Sequence, residues 1–282
     1  MKGDFPVANF TYQRFQAFFN HSLFIIFATP LTYLFVGTLY AAQITRVHFL
    51  PFFLLYCFIL LNQFLEKFLE RWIKKTSRHS TIFLLIFELL NLSLVVYFTF
   101  SLHYLIGMLL LFYSLLVHGQ FYLIKIGLAW FSIAMQAVFK GAIMTYISFS
   151  IQVLFIPNTL FLWSIPLVLL ALFVELGKYQ TSLKPLVSVT TNELFTDRTT
   201  YLALNSVLVL LYFSSFLMLW PSFSYFTCLL LLSMPAAWTA IQSYDPTKAV
   251  KKNTNTLKQL TLYSLLYLFL FACIISTRFF IH

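Results

Sequence analysis

Long apolar runs dominate the sequence and limit the folds that the chain can adopt. Nine runs are long enough to cross the roughly 30 Å hydrocarbon core of a bilayer. They cover residues 18–41, 48–65, 81–100, 103–117, 128–151, 153–174, 200–219, 222–242 and 260–279. With 61% hydrophobic and only 9% charged residues, the chain is too apolar for a soluble fold. We therefore predict an all-α integral membrane protein, a single domain over residues 1–282 with nine transmembrane helices.

Basic residues are distributed unevenly between the two ends of these predicted spans. Of the 18 Lys and Arg residues, all but Arg46, Lys140 and Arg278 lie near the amino terminus or beside the connections after the second, fourth, sixth and eighth spans. Because basic loops are retained in the cytoplasm, this asymmetry predicts a multi-pass protein of the cell membrane with its amino terminus inside and its carboxyl terminus outside. Cytoplasmic retention and anionic lipid explain the net charge of +10, so no nucleic-acid partner is needed.

A polar face interrupts the end of the second apolar run, in the stretch LLNQFLEKFLERWIKK. At 100° per residue, Asn62, Gln63, Glu66 and Glu70 fall within about 100° of one another on a helix. One interpretation, which spacing alone favours, is that the carboxylates are solvated helix-end charges and that Glu70 pairs with Lys74 at i,i+4. The alternative is a cation site, because Mg²⁺ prefers oxygen ligands and commonly bridges to the phosphates of a substrate.

The same stretch carries a family resemblance. The order Asn62-Gln63-x-x-Glu66-x-x-x-Glu70 resembles the first signature of the UbiA-type membrane prenyltransferases, N-D-x-x-D-x-x-x-D, with Gln for one Asp and Glu for two. Three further regions are similar to conserved parts of that family: FYSLLVHGQ from residue 112, FVELGKYQTSLKPLV from residue 173 and YDPTKAVKKNTNTLKQL from residue 244. The resemblance covers nearly the whole chain, and nine spans with cytoplasmic loops match the family's fold.

This resemblance implies a membrane enzyme that transfers an isoprenyl or polyprenyl group from its diphosphate to a lipophilic acceptor. The acceptor would be an aromatic compound, a quinone precursor or another lipophilic molecule that enters from the membrane lipid. The resemblance also implies Mg²⁺ as cofactor, with four residues as metal ligands and catalytic residues: Asn62, Glu66, Glu70 and Glu175. It assigns binding of the diphosphate substrate to Gln63, Lys67, Arg71, Tyr113 and Lys178.

The second acidic segment departs from the family pattern. In the family, two Asp separated by three or more residues hold another Mg²⁺, whereas this chain has Glu175 and then no acid until Glu193. Glu175 is expected either to ligate the metal or to pair with Lys178 at i,i+3. This departure leaves open a catalytically inactive homologue that binds prenyl lipids or a membrane partner. Transport is a weaker third alternative, because no internal repeat is evident.

Two charged residues lie inside predicted spans, where the cost of a charge marks a residue as functional or paired. Glu88 belongs to the third span and Lys140 to the fifth. We expect them to form a structural ion pair. The alternative is that Lys140 meets the diphosphate.

The charge asymmetry makes a topology prediction. A reporter fused after His282 should lie outside the cell, because the basic loops hold the other ends of the spans in the cytoplasm. Accessibility of the reporter to a membrane-impermeant reagent in intact cells checks this expectation. A cytoplasmic reporter would contradict both the nine-span count and the predicted orientation.

Overall fold

The computed structural model describes residues 22–73, 80–153, 155–183, 196–246 and 254–277. Every regular element in these ranges is helical, which confirms the predicted all-α class for them. The α-helices are α1 (Ser22–Ala42), α2 (Phe49–Ile73), α3 (Ser80–Ser101), α4 (Tyr104–Lys125), α5 (Ala129–Val138), α6 (Met144–Val153), α7 (Asn158–Lys178), α8 (Asp197–Phe223), α9 (Met234–Gln242) and α10 (Thr254–Ser276). Lys74, Glu193 and parts of the first and last predicted spans lie outside the described residues.

Three short elements join these α-helices. π-helical turns follow α5 and α7, at Phe139–Ile143 and Tyr179–Leu183. A 3₁₀-helix, Ser224–Ser233, links α8 to α9. Both π-helical turns lie beside the charged residues of the candidate site.

Six helical stretches among the described residues are long and apolar enough to cross a membrane. They are Phe49–Glu70, Ile82–Ser101, Tyr104–Lys125, Asn158–Leu183, Asp197–Gln242 and Thr256–Ser276. The apolar part of α1, Phe27–Ala42, is shorter. These helices support a multi-pass membrane protein, but they do not show the predicted count of nine spans.

A chain reversal explains one difference between the nine predicted spans and the six long apolar stretches. Residues 197–242 form one helical stretch of 46 residues, where the sequence predicts two spans. Ser224 interrupts the stretch with a φ of 46°, in the left-handed region. Across the reversal, the Tyr212 hydroxyl and the Ser233 hydroxyl share a hydrogen bond of 2.6 Å. The two halves therefore pack side by side.

Buried polar groups explain a second difference. Residues 129–153 are helical throughout, but they are not among the six apolar stretches. This segment carries Gln136, Lys140 and Gln152, which are all buried. Its polar side chains face protein, so its mean hydropathy understates how deeply it is packed.

The fourth predicted span is longer in the structure than the run 103–117. His103 caps α4 at its start, where Leu105 N–H donates to the His103 ring at 3.2 Å. The helix continues to Lys125, and Gly127 follows with a φ of 88°, a conformation that favours glycine after a helix end. The added turns bring Gln120 and Phe121 to the candidate site.

The helices pack around two apolar cores. One core gathers residues of α1 to α4 and α6, around Phe58, Phe98 and Tyr113. The other gathers residues of α7, α8 and α10, around Trp163 and Tyr267. Helices α1, α4 and α6 contribute residues to both cores, so these three helices connect the two groups.

Gly141 permits the closest approach in this packing. A Cβ atom at Gly141 would lie 2.4 Å from the Cα of Val168, in the backbone of α7. We expect Gly141→Ala to lower the free energy of unfolding by about 1–3 kcal/mol, because backbone atoms cannot move aside as a side-chain end can. Thermal unfolding in detergent measures this loss.

Gly119, on α4, gives the matched control. A Cβ atom there would meet nothing within 4 Å, so Gly119→Ala should leave the unfolding midpoint unchanged or slightly higher. Equal midpoints for the two variants would contradict the close packing at Gly141.

Candidate functional site

A cavity with a volume of about 470 Å³ lies between α1, α2, α7 and α10. This volume falls in the range of small-molecule sites. The residues predicted to form the site that line the cavity are Gln63, Glu66, Lys67, Glu70, Glu175 and Lys178. The structure thus brings together two segments, 63–70 and 175–178, that are more than one hundred positions apart in sequence.

Helical periodicity places the α2 residues on one wall. Gln63, Glu66, Lys67 and Glu70 follow the i, i+3, i+4, i+7 spacing of a single helix face, so all four reach the same cavity. On the opposite wall, Glu175 and Lys178 share the last turn of α7, just before the π-helical turn Tyr179–Leu183. Such turns often occur at functional sites.

The buried ion pair of the site joins Lys140 to Glu175. The Lys140 Nζ lies 2.5 Å from the Glu175 Oε1, and both side chains are less than a tenth exposed. Lys140 comes from the π-helical turn Phe139–Ile143. The expected pairing of Lys140 with Glu88 is therefore wrong, because Glu175 is the acid that α7 places against this turn.

A second lysine extends this pair across the cavity. The Lys178 Nζ lies 3.7 Å from the Glu175 Oε2 and also donates to the Glu66 Oε1. Gln120 of α4 donates to the same Glu66 oxygen at 2.7 Å. We call Lys140, Glu175, Lys178 and Glu66 the Lys–Glu network. Its charges alternate in sign, and it connects the second acidic segment to the first.

Asn62 does not share the cavity with the other residues of its stretch. Its side chain is fully buried, and its Nδ2 donates to the Phe58 carbonyl at 2.9 Å and to the Asn91 Oδ1 at 2.8 Å. Asn91 in turn donates to the Ser114 hydroxyl at 2.7 Å. The structure therefore places Asn62 in a polar contact between α2, α3 and α4, apart from the carboxylates it was predicted to join in a metal site.

Tyr113, another predicted site residue, also stands apart. Tyr113 is 1% exposed, packs against Phe58 and Phe139, and is not part of the cavity lining. Arg71 belongs to α2, but its side chain lies outside the described residues.

Glu88 pairs with a histidine on the neighbouring helix. The Glu88 Oε2 lies 3.2 Å from the His118 Nε2, although the two atoms are not aligned for a hydrogen bond. The other ring nitrogen of His118 contacts the Ser114 carbonyl at 2.7 Å. This contact joins α3 to α4 and does not reach the cavity lining.

The structure adds residues that the sequence reasoning did not assign to the site. Tyr33 of α1, Gln120 of α4 and Lys258 of α10 belong to three different helices, and Tyr33 and Lys258 line the cavity. In the sequence, Lys258 is one of the basic residues beside the connection after the eighth predicted span. Its position in the region from residue 244, which resembles the family's last loop and helix, was the available signal.

No family model, curated protein or solved structure matches this chain.

The contacts of the carboxylates test whether the cavity fits Mg²⁺. In the part of the chain that the structure describes, no three His, Cys, Asp or Glu side chains group closely enough to hold a metal ion. Glu66 and Glu175 instead direct their oxygens at lysine ammonium groups. A divalent cation would have to displace those lysines, so the arrangement does not fit the magnesium centre that the resemblance implies.

The Lys140–Glu175 pair makes a stability prediction. Lys140→Met leaves the Glu175 carboxylate with a weaker partner in an apolar surrounding and should cost about 3 kcal/mol or more. The double variant Lys140→Met, Glu175→Leu removes both charges and should be more stable than Lys140→Met alone. Unfolding midpoints in one detergent compare the variants. A double variant less stable than Lys140→Met alone would show that the pair itself, rather than charge neutrality, stabilises the fold.

Proposed function

We propose that the protein binds an isoprenyl diphosphate in the 470 Å³ cavity and transfers its prenyl group to a lipophilic acceptor. One observation carries the proposal. Two segments that separately resemble diphosphate-binding regions of the UbiA-type prenyltransferases, 63–70 and 175–178, line the same cavity. We also propose that the chain crosses the cell membrane nine times with its amino terminus inside, which would place the cavity mouth at the cytoplasmic surface.

Cationic side chains would recognise the diphosphate. Lys67, Lys178 and Lys258 reach the cavity from α2, α7 and α10, and so surround it on three sides. Ammonium groups form strong, charge-assisted hydrogen bonds to phosphate oxygens. Positive groups fixed in place before the reaction would also stabilise the charge that develops on the leaving diphosphate.

Apolar side chains would hold the prenyl chain and the acceptor. Phe121, Val174, Leu183 and Leu257 complete the cavity walls between the charged groups and the helices. A wall of this kind suits a hydrocarbon chain and excludes water from a reactive intermediate. The acceptor, an aromatic or quinone-type lipid, would enter from the surrounding bilayer.

The proposed reaction exchanges one bond for another. The bond between the first prenyl carbon and the diphosphate oxygen breaks, and its electron pair leaves with the diphosphate. The resulting allylic cation bonds to a nucleophilic carbon or oxygen of the acceptor. The proton displaced from the acceptor passes to the released diphosphate, which is a base, so no further reactant is required.

A second candidate function is non-catalytic binding of prenyl lipids. The Lys–Glu network favours it, because Glu66 and Glu175 are both engaged by lysines rather than available to a metal. Such a protein would hold a prenyl diphosphate, or another prenyl lipid, without breaking its bond.

A transfer assay tests the first proposal. Purified protein in lipid nanodiscs, given labelled geranyl, farnesyl or longer diphosphates and a panel of aromatic and quinone acceptors, should form a prenylated product. Lys178→Gln should lower the rate at least about 100-fold, since it removes a cation beside the leaving group. Chromatography of the labelled lipid measures the product.

Lys125→Gln is the matched control for this assay. Lys125 is exposed at the end of α4 and does not line the cavity, so its loss should leave the rate unchanged. If the diphosphate binds but no acceptor yields a product, the non-catalytic candidate replaces the transferase.

A further inference from the structure

The charges that line the cavity do not suit a divalent cation. Among the residues that the structure describes, three carboxylates face it, from Glu66, Glu70 and Glu175, and four ammonium groups face it in return. These belong to Lys67, Lys140, Lys178 and Lys258. Mg²⁺ is usually held by one or two carboxylates together with substrate phosphates, whereas Glu66 and Glu175 are already paired with lysines and the described lining carries one more positive than negative charge. It should therefore attract an anion more strongly than a cation.

Lys178 holds the position between the two acidic segments. Its Nζ contacts Glu66 on one side and lies 3.7 Å from Glu175 on the other. A metal ion that linked those carboxylates to a diphosphate would need the same space. The ammonium group already supplies positive charge there, and it can donate hydrogen bonds directly to phosphate oxygens.

Lys258 adds a cation from a third helix. It lines the cavity from α10 and forms no ion pair with any residue that the structure describes. An anionic head group that enters the cavity would gain this contact without first breaking a salt bridge to any of these described residues. Lys258 and Lys178 therefore approach the head group from different helices.

From these contacts we infer that the cavity is a metal-independent site for an amphiphile with a phosphate or diphosphate head group. Lys258 and Lys178 bind the head group, and Glu66 is the displaceable counter-ion of Lys178. The inference deepens the proposed function, on which it depends for the prenyl nature of the tail. Recognition of the head group does not depend on whether a prenyl group is then transferred.

The Glu66→Gln variant distinguishes a metal-independent site from a metal site, because the two predict opposite changes in the affinity for an anion. If Glu66 only neutralises Lys178, Glu66→Gln frees this lysine and binding of an anion becomes tighter. If Glu66 is a metal ligand, the same change removes a ligand and binding becomes weaker. Glutamine keeps the size of the side chain and can still accept from Gln120.

The experiment measures equilibrium binding of farnesyl diphosphate to the full-length protein in phosphatidylcholine nanodiscs. Titrations run in parallel with EDTA and with millimolar Mg²⁺. We expect the dissociation constants to agree within about twofold, since no metal contributes, and Glu66→Gln to lower the constant by about threefold or more. Lys258→Gln should raise it about tenfold, the effect of one lost charge-assisted hydrogen bond. Lys125→Gln should not change it.

Two outcomes would overturn the inference. One is an affinity at least about tenfold lower in EDTA than in Mg²⁺, and the other is weaker binding by Glu66→Gln. Thermal unfolding of each variant, run beside the titrations, separates a lost contact from a lost fold. If Lys258→Gln also lowers the unfolding midpoint, Lys258→Arg is measured in its place. Because arginine keeps the positive charge, this variant must bind farnesyl diphosphate as tightly as the native protein does.

Further arms identify the source of the head group. Farnesol, inorganic pyrophosphate and nanodiscs that contain phosphatidic acid separate a prenyl diphosphate from a free anion and from a phospholipid. Loss of farnesyl diphosphate binding in nanodiscs that contain phosphatidic acid would show that a membrane phospholipid occupies the site. Metal-independent binding without any prenylated product would refute the proposed transferase and leave this inference standing. A prenylated product together with binding that requires Mg²⁺ would support the transferase and refute this inference.

Discussion

An ammonium group buried in the apolar interior needs a counter-charge, and the rest of the site is arranged around this need. Lys140 is 6% exposed, so Glu175 must lie against it, at the 2.5 Å separation observed. Glu175 then presents its second oxygen to Lys178, and Lys178 reaches Glu66 on α2. Through these contacts one buried charge fixes α7 against the π-helical turn and sets the opposite wall of the cavity. The volume between these walls is what a ligand would occupy.

Helical periodicity predicted a large part of this cavity from the sequence. The face formed by Gln63, Glu66 and Glu70 follows from 100° per residue, and all three side chains line the cavity. Periodicity says which residues share a face, but it does not say what that face meets. Asn62, at the edge of the same arc, lies against Asn91 of α3, whose side chain takes its amide hydrogen bond. The neighbouring helix therefore holds the Asn62 amide nitrogen in a contact between α2 and α3, and Asn62 is not among the residues that line the cavity.

Long-range pairing was the main feature that the sequence could not supply. Glu88 and Glu175 were both available as partners for Lys140, and hydropathy does not distinguish them. The choice depends on which helices are adjacent, since α7 packs against the turn that carries Lys140 whereas α3 packs against α4 and its His118. The reversal near Ser224, by contrast, agrees with the break predicted between the spans 200–219 and 222–242, although no glycine marks the φ of 46°.

Under the proposed function, a lysine beside Glu175 would give the cavity a fixed positive charge where the resemblance implies a bound metal ion. In the family that the sequence resembles, the second acidic segment has two Asp separated by three or more residues, whereas here Glu175 is followed by Lys178 and Tyr179, with no acid until Glu193. Replacing a carboxylate by an ammonium group changes the local charge by two units, the same change that a bound divalent cation makes. The lysine is tethered to α7, so under the proposed metal-independent binding it would supply this charge without an ion from solution. The Lys178 ammonium group can move only as far as its side chain reaches. Glu66 on the facing helix pairs with it and so lowers the positive charge that a ligand would meet.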